Sequence, residues 1–169
     1  MNNNLLILGG TGFIGTALVM QLKNFISTSK IFVLGQNDLK LLNLKNEGIT
    51  GVKGKLENLS LIESVIEKFD IKTVVHLVSN LIPASNSEEF NREYQEVVLP
   101  TIELIDYCSR KNIKFVFFSS GGTVYGNLYD SVPIKEKIET SPISYYGKSK
   151  KCIEDHIVQE HEINNLQYS

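Results

Sequence analysis

The sequence has no tryptophan, only two cysteines and four prolines, and no surplus of positive charge. Its 17 basic and 19 acidic residues give a formal net charge of -2, so nothing in the composition indicates a nucleic-acid or anionic-membrane partner. Cys108 and Cys152 lack metal-ligand spacing, and we interpret them as two reduced thiols. These absences favour a cytoplasmic protein that binds no metal.

Long hydrophobic runs are also missing. The longest apolar runs, such as Val74–Val78, are far shorter than the roughly 20 residues that a membrane-spanning helix needs. The N-terminus does not combine a basic segment with a long apolar one, so we expect no secretory signal. The whole sequence of 169 residues is 42% hydrophobic and 21% charged, as expected for one soluble domain with a sizeable core.

Short apolar runs alternate along the chain with longer segments of helical periodicity. The predicted strands are Leu5–Leu8, Ile31–Leu34, Ile49–Val52, Thr73–Leu77 and Phe115–Phe118. The predicted helices are Phe13–Phe25, Leu39–Asn46, Leu59–Phe69, Ser87–Arg110 and Tyr145–His161. Continuously apolar strands indicate a sheet that is covered on both faces. The pattern therefore predicts an α/β fold with a Rossmann-type, doubly wound parallel sheet in a single domain.

A glycine-rich turn, GGTGFIG, joins the first predicted strand to the first helix. Glycines allow a tight turn and a close approach of the backbone to a pyrophosphate, and the helix N-terminus offers free N–H groups to that anion. The position directly after a buried strand makes the pattern specific for dinucleotide binding. The candidate cofactor-binding residues in this turn are Gly9, Gly12, Phe13, Ile14 and Gly15.

The end of the second strand does not distinguish NAD from NADP. An Asp or Glu that binds the adenosine ribose is expected there, but the position holds Gly35, and Asp38 comes late. No arginine is present to hold a 2′-phosphate, although Lys40 and Lys55 remain candidates for that role. NAD is the expected cofactor, with NADP left open.

Four segments in a fixed order carry a family resemblance: the GGTGFIG turn, "DIKTVVHL" at Asp70–Leu77, "SSGGTVYG" at Ser119–Gly126 and "YGKSK" at Tyr146–Lys150. Together they resemble the extended short-chain dehydrogenase/reductase superfamily and, within it, the NAD-dependent epimerase/dehydratase family, with UDP-glucose 4-epimerase-like proteins nearest. The resemblance implies a nucleotide-sugar substrate, a homodimer and a cofactor that runs along the backbone at Leu77. His76, in the same segment, is interpreted as a packed strand residue.

The resemblance also implies that Tyr146 and Lys150 form the catalytic pair. Residues i and i+4 share one helix face, and a lysine ammonium there favours the tyrosinate and can bind the nicotinamide ribose. Both residues are therefore candidate catalytic and cofactor-binding residues. Tyr107 and Lys111 have the same spacing by chance, since they precede a strand and follow no serine-rich loop. Tyr145 has Ser149 at i+4, which favours a packing or substrate-side role.

The serine-rich loop departs from the family pattern. The family's Ser or Thr that hydrogen-bonds the reacting sugar oxygen aligns with Gly121, so Thr123 or Ser120 is expected to supply the catalytic hydroxyl, with Thr123 preferred. The family's 4,6-dehydratases carry an Asp-Glu pair where this sequence has Gly122 and Thr123. This difference favours epimerase or reductase chemistry over dehydration.

Relatives in the family continue for more than a hundred further residues. Residues 1–169 are therefore expected to form the NAD(P)-binding domain alone, without the C-terminal substrate lobe. The leading hypothesis is an NAD(P)-dependent nucleotide-sugar 4-epimerase. The alternatives are a catalytically inactive dinucleotide-binding fragment and an NADPH-dependent sugar-nucleotide reductase.

Overall fold

The structure, a computed structural model, describes residues 3–127 and 133–169. Its strands are β1 (Asn4–Leu8), β2 (Ile31–Gly35), β3 (Thr50–Lys53), β4 (Ile71–His76) and β5 (Lys114–Phe117). Its helices are α1 (Phe13–Leu22), α2 (Asp38–Asn46), α3 (Leu59–Lys68), α4 (Ser87–Glu93), α5 (Leu99–Arg110), α6 (Gly121–Val124) and α7 (Tyr145–Asn164). Each predicted strand and helix is present, with ends that differ by a few residues.

The five strands form one parallel sheet in the order β3-β2-β1-β4-β5. The chain starts in the centre with β1 and winds outward in both directions, which confirms the predicted doubly wound α/β fold. Leu8, the last residue of β1, pairs with Leu34 on one side and with His76 on the other. The carboxyl ends of these three strands therefore lie together at one edge of the sheet, where open α/β sheets bind ligands.

The side chains of β1 divide the core into two layers. Leu6 and Leu8 belong to the larger cluster, which includes residues of α3, α5 and α7. Leu5 and Ile7 belong to the smaller cluster, which includes Val19 of α1 and residues of α2. Both faces are covered at the central strands, which explains why β1 and β2 are apolar without polar alternation, whereas the edge strand β3 alternates.

The last residues of the chain pair with the outer edge of β5. The Phe115 N–H donates to the Gln167 carbonyl at 2.9 Å, and the Ser169 N–H donates to the Phe115 carbonyl at 3.1 Å. A parallel bridge joins Phe115 to Tyr168. The sheet thus extends beyond β5 by one short segment.

The single long helix predicted over Ser87–Arg110 contains a break in its hydrogen-bond period. A π-helical segment, Tyr94–Val98, separates α4 from α5. The start of α4 is fixed by a capping box, in which Asn86 and Glu89 exchange side-chain and backbone hydrogen bonds of 2.8 and 3.0 Å. Short π segments within helices are often found at functional sites.

None of the helices within the described residues combines the length and apolar character that crossing a membrane requires.

Candidate functional site

The glycine turn leaves β1 in a conformation that requires glycine at its first position. Gly9 has a φ of +78°, in the left-handed region that side chains with a Cβ rarely adopt. Its N–H donates to the Leu34 carbonyl at 3.0 Å, and the Gly12 N–H donates back to the Gly9 carbonyl at 2.9 Å. The turn is thereby held against the end of β2.

Helix α1 starts immediately after this turn and lies very close to it. A Cβ on Gly15 would come within 2.6 Å of the Gly10 Cα, so only glycine allows this packing. Gly12, the N-cap, provides no side-chain acceptor for the first N–H groups of the helix. Phe13 is 94% exposed and Ile14 is 54% exposed. The side chains of both residues are therefore open to solvent in the structure.

A groove of about 210 Å³ runs along the carboxyl ends of the strands beside this turn. Its lining includes Gly9 and Gly12 of the turn and, beside Gly9, the segment Leu77–Ser79. The Leu77 N–H donates to the Leu8 carbonyl at 3.1 Å, which holds the segment after β4 beside the turn. The structure thus brings the predicted residue Leu77 together with the glycine turn.

Gly35, at the end of β2, lies close to Thr11 of the glycine turn. A Cβ on Gly35 would collide with the side chain of Thr11, so an Asp or Glu does not fit there in this arrangement. Lys40, a candidate for a 2′-phosphate, donates from Nζ to the Thr11 carbonyl at 2.8 Å. Lys55 lines the groove and lies 3.6 Å from the Glu57 carboxylate.

Helix α7 carries the Tyr146 and Lys150 pair near its start. Ser144 caps the helix by accepting the Gly147 N–H at 3.0 Å. Lys150 is 4% exposed, and its Nζ donates to the Phe118 carbonyl at 3.1 Å, just beyond β5. The same Nζ lies 5.7 Å from the centre of the Tyr146 ring. Burial lowers the pKa of Lys150 to about 8.

The serine-rich loop folds into the short helix α6, which packs on the start of α7. A Cβ on Gly147 would lie 2.5 Å from the Thr123 carbonyl oxygen, so glycine is required for this contact. The Thr123 hydroxyl donates to the Ser120 carbonyl at 3.2 Å. Ser120 is the N-cap of α6, and its hydroxyl makes no capping bond. A Cβ on Gly121 would meet no atom within 4 Å.

The two other tyrosines considered from sequence have different partners. Tyr145 packs against Phe90 of α4 with ring centres 5.1 Å apart, in line with the packing role. The Tyr107 hydroxyl donates to Glu67 of α3 at 3.2 Å, and Lys111 binds the same carboxylate at 3.2 Å. This second Tyr–Lys pair lies where α5 leads into β5, and its side chains are engaged with α3.

His76, the last residue of β4, is fully buried and forms a hydrogen bond through one of its ring nitrogens. Its Nε2 lies 2.9 Å from the Thr101 hydroxyl, which itself donates to the Val97 carbonyl at 2.6 Å. The single Thr101 proton is thus used, so the imidazole is the donor and carries its proton on Nε2. The Nδ1 atom has no partner among the described residues. Burial lowers the pKa of His76 to about 3, and the charge of Lys150 acts in the same direction.

Glu93, at the end of α4, did not emerge from the sequence motifs. It is 1% exposed, and its carboxylate accepts the Ser79 hydroxyl at 2.8 Å and the Asn80 N–H at 2.9 Å. A sequence signal was weak, because a single glutamate in an acidic helix start is usually solvated. Its contacts place it directly behind the groove wall.

One further cluster of ionisable groups joins α5 to α7 at the surface. Asp106, His156 and Glu160 have ligand-type atoms within 4.8 Å of one another. The His156 Nε2 already lies 2.6 Å from Asp106 Oδ1, so we interpret the cluster as a link between the two helices.

A glycine turn at the centre of a doubly wound sheet, with a buried lysine on a neighbouring helix, defines a Rossmann-type dinucleotide-binding protein. Residues 5–169 match the profile of the NAD-dependent epimerase/dehydratase family. The chain belongs to this family of enzymes. This finding confirms the resemblance drawn from the four sequence segments.

Known proteins with similar sequences include both epimerases and a reductase. The dTDP-4-dehydro-6-deoxyglucose reductase of Escherichia coli is 29% identical over 92% of this chain and 50% of its own length. A UDP-glucose 4-epimerase of Halalkalibacterium halodurans is 26% identical over 97% of this chain and 48% of its own length. The chain thus spans about half the length of these relatives.

The solved structures that the chain resembles also include nucleotide-sugar epimerases. The UDP-N-acetylglucosamine 4-epimerase of Methanobrevibacter ruminantium, in complex with UDP-N-acetylmuramic acid, is 28% identical with a TM-score of 0.83, over 99% of this chain and 54% of its own. The UDP-glucose 4-epimerase of Thermus thermophilus, in complex with NAD, is 22% identical with a TM-score of 0.85. That alignment covers 98% of this chain and 53% of the other.

Proposed function

We propose that the chain is the cofactor-binding part of an NAD-dependent nucleotide-sugar 4-epimerase. The observation that carries this proposal is the placement of Tyr146 and Lys150 on one face of α7, with Lys150 buried against the end of β5. The groove beside the glycine turn lies at the same edge of the sheet. The family and the epimerases among its relatives support the reaction class.

The residues around the groove fit a dinucleotide. Gly12 adds no side chain at the start of α1, Gly15 lets the helix lie close to the turn, and the uncapped N–H groups at the start of α1 provide donors for a pyrophosphate. Leu77, beside Gly9, lines the same groove. NAD is the cofactor that we assign, since the family is NAD-dependent and the Thermus thermophilus epimerase was crystallised with NAD.

In the proposed reaction, each residue of the pair has a separate task. NAD, when bound, would supply the hydride acceptor for carbon 4 of the sugar and the hydride donor for its opposite face. Tyr146 takes the proton from the 4-hydroxyl as the hydride leaves and returns it afterwards. Lys150 stabilises the tyrosinate and binds the nicotinamide ribose, while the hydroxyl of Thr123 or Ser120 orients the sugar oxygen. The sugar nucleotide itself is expected to be held largely by a C-terminal lobe beyond residues 1–169.

The experiment that tests this function is the Tyr146→Phe variant in a polypeptide that includes the following lobe. Conversion between UDP-glucose and UDP-galactose is followed together with the bound NAD content. We expect turnover to fall by about 10³-fold or more, with NAD retained, because only the proton-transfer group is removed. Undiminished turnover in the variant would refute the assignment of Tyr146.

A reductase is the second candidate, and the Escherichia coli relative favours it. A reductase consumes NADPH in proportion to product, whereas an epimerase recycles bound NAD. Stoichiometric NADPH oxidation with dTDP-4-dehydro-6-deoxyglucose would therefore select the reductase. Cofactor binding without conversion of either type of substrate would select the inactive dinucleotide-binding protein, which Gly121 favours.

The homodimer expected from the family is proposed to form through α5 and α7. These helices pack side by side, and Leu99 and Val158 expose apolar surface on them. Light scattering of the purified chain at several concentrations tests this proposal, and a monomer at all concentrations would contradict it.

A further inference from the structure

Three side chains on α5 and α7 bring together donor atoms of the kinds that bind metal ions. Asp106 lies on α5, His156 and Glu160 lie on α7, and one ligand atom of each lies within 4.8 Å of the others. The spacing of four residues places His156 and Glu160 on one face of α7. Asp106 reaches this face across the contact between the helices, since its Oδ1 lies 2.6 Å from the His156 Nε2. One imidazole nitrogen and two carboxylates are a ligand set that Zn²⁺ and related cations bind.

A cavity beside this cluster contains a buried hydroxyl group. The cavity measures about 440 Å³ and is lined by Asp106, Ser109, Arg110, Glu160 and Asn164. Ser109 follows Asp106 by three residues on α5 and is 7% exposed. Its Oγ has no hydrogen-bond partner within residues 3–127 and 133–169. Buried hydroxyl groups are nearly always paired, so the Ser109 Oγ indicates a ligand in the cavity.

The negative charge of the cluster is not balanced by a lysine or arginine. In the described part of the chain, no ion pair joins either of these residue types to Asp106 or Glu160. His156 donates to Asp106, and the neutral Asn164 donates from Nδ2 to the Glu160 Oε2 at 2.9 Å. Arg110 lines the cavity from an exposed position and is the side chain that competes with a bound cation. Two carboxylates held this close together attract a divalent cation.

The three side chains are shielded more than those of an ordinary acidic surface patch. The His156 and Asp106 side chains are 21% and 38% exposed, and Glu160 is also half-buried. The hydrogen bond from Asn164 orients the Glu160 carboxylate through Oε2, so Oε1 remains for a cation. Side chains that are already held in place lose less conformational freedom when they bind a ligand. The cluster is therefore partly organised for cation binding.

We propose that Asp106, His156 and Glu160 form a binding site for one divalent transition-metal cation, whose bound water is held by the Ser109 hydroxyl. In the structure, the His156 Nε2 carries the proton of its hydrogen bond to Asp106. When a cation binds, the neutral imidazole carries its proton on Nδ1 instead, and the lone pair of Nε2 binds the cation. The imidazole favours Zn²⁺ over Mg²⁺ and Ca²⁺, which prefer oxygen ligands.

This cation site is separate from the cofactor groove and does not depend on the proposed function. His156 follows Lys150 by six residues and Glu160 follows it by ten, which places them roughly 9 and 15 Å further along α7. A cation at this site would fasten α7, the helix that carries Tyr146 and Lys150, to α5. The expectation of no metal site rested on the cysteines, whereas this site uses none and joins residues 50 positions apart in the sequence.

The test is calorimetric titration of Zn²⁺ into the purified chain after treatment with a chelator. We expect one Zn²⁺ per chain and a loss of affinity of about 100-fold or more in His156→Asn, which removes a ligand. Asn164→Ala removes the residue that orients Glu160 and should weaken binding by roughly tenfold. The controls His161→Asn and Cys152→Ser change groups of α7 outside the cluster and should bind Zn²⁺ as the wild type does. No binding to the folded chain, one Zn²⁺ per two chains, or equal affinity of wild type and His156→Asn would overturn the proposal.

Histidine NMR of the wild-type chain gives a second readout if a variant does not fold. The chain has three histidines, of which His76 is fully buried. Zn²⁺ should shift the ring signals of His156 and leave those of His76 and His161 in place. Unchanged His156 signals, or a shift of the His161 signals alone, would contradict the site. Neither measurement uses NAD, so failure to bind NAD would count against the proposed function and not against this site.

Discussion

His76 provides a prediction of acid sensitivity whose magnitude follows from its burial. The pKa of a histidine in the unfolded chain is about 6.5, and in the folded chain burial lowers that of His76 to about 3. The unfolded state therefore binds more protons than the folded state between these two pH values, so stability falls as the pH is lowered through this window. At about 1.36 kcal/mol per pH unit, the whole interval corresponds to about 5 kcal/mol, and the loss down to pH 4.5 to about 3 kcal/mol.

The perturbation that isolates this effect is His76→Gln. Glutamine can retain a donor toward Thr101 but does not titrate, so it removes the acid-dependent loss and leaves the contribution of the carboxylates in place. The free energy of unfolding is measured by urea denaturation at pH 7 and at pH 4.5. The wild type should lose about 3 kcal/mol more than the variant between the two pH values. In thermal melts the same difference amounts to about 6–12 °C.

His161→Gln is the control, because it removes an exposed imidazole that contacts the Leu166 carbonyl at the surface. The pH dependence of this control should follow the wild-type curve. Parallel curves for wild type and His76→Gln would mean that His76 titrates equally in the folded and unfolded chains. That result would refute the argument from burial.

Two glycines give opposite predictions, which follow from the space around them. Gly147→Ala should destabilise the chain by roughly 1–3 kcal/mol in chemical denaturation, because the new Cβ would press on the Thr123 carbonyl. The control is Gly122→Ala, whose new Cβ meets no atom within 4 Å. This control should be as stable as the wild type. Equal stability of the two variants would contradict the close packing of α6 on α7. Gly121→Ser should likewise leave stability within about 0.5 kcal/mol and, in a polypeptide that includes the substrate lobe, raise turnover about tenfold by restoring the family hydroxyl. A stable Gly121→Ser protein with lower turnover would show that Gly121 does not face the sugar oxygen.

The sheet could be predicted from the sequence because β1 and β2 are continuous apolar runs and the predicted strands alternate with segments of helical periodicity. The position of the glycine turn after Leu8 could be predicted for the same reason, since periodicity alone places it between β1 and α1. The family resemblance then related the turn to the Tyr146 segment, which lies far away in the chain. The match of residues 5–169 to the family profile confirmed the family.

The features that sequence did not predict depend on contacts between distant residues. The π segment at Tyr94–Val98 has no composition that separates it from a regular helix. The role of Lys40 in binding the glycine turn depends on how α2 packs beside Thr11. Glu93 looks like a surface residue of an acidic helix start, and only the packing of α4 shows that it is buried behind Ser79.

The most direct test of the central proposal is calorimetric titration of NAD into the purified chain and into its Gly12→Val variant. Valine at this position would fill the space in front of α1 that we assign to the pyrophosphate, next to the Gly9 carbonyl. Circular dichroism establishes that both proteins are folded. We predict saturable binding of one NAD per wild-type chain and its loss in Gly12→Val. Absence of binding to the folded wild-type chain, or equal binding to both proteins, would contradict the assignment of the glycine turn as the dinucleotide site.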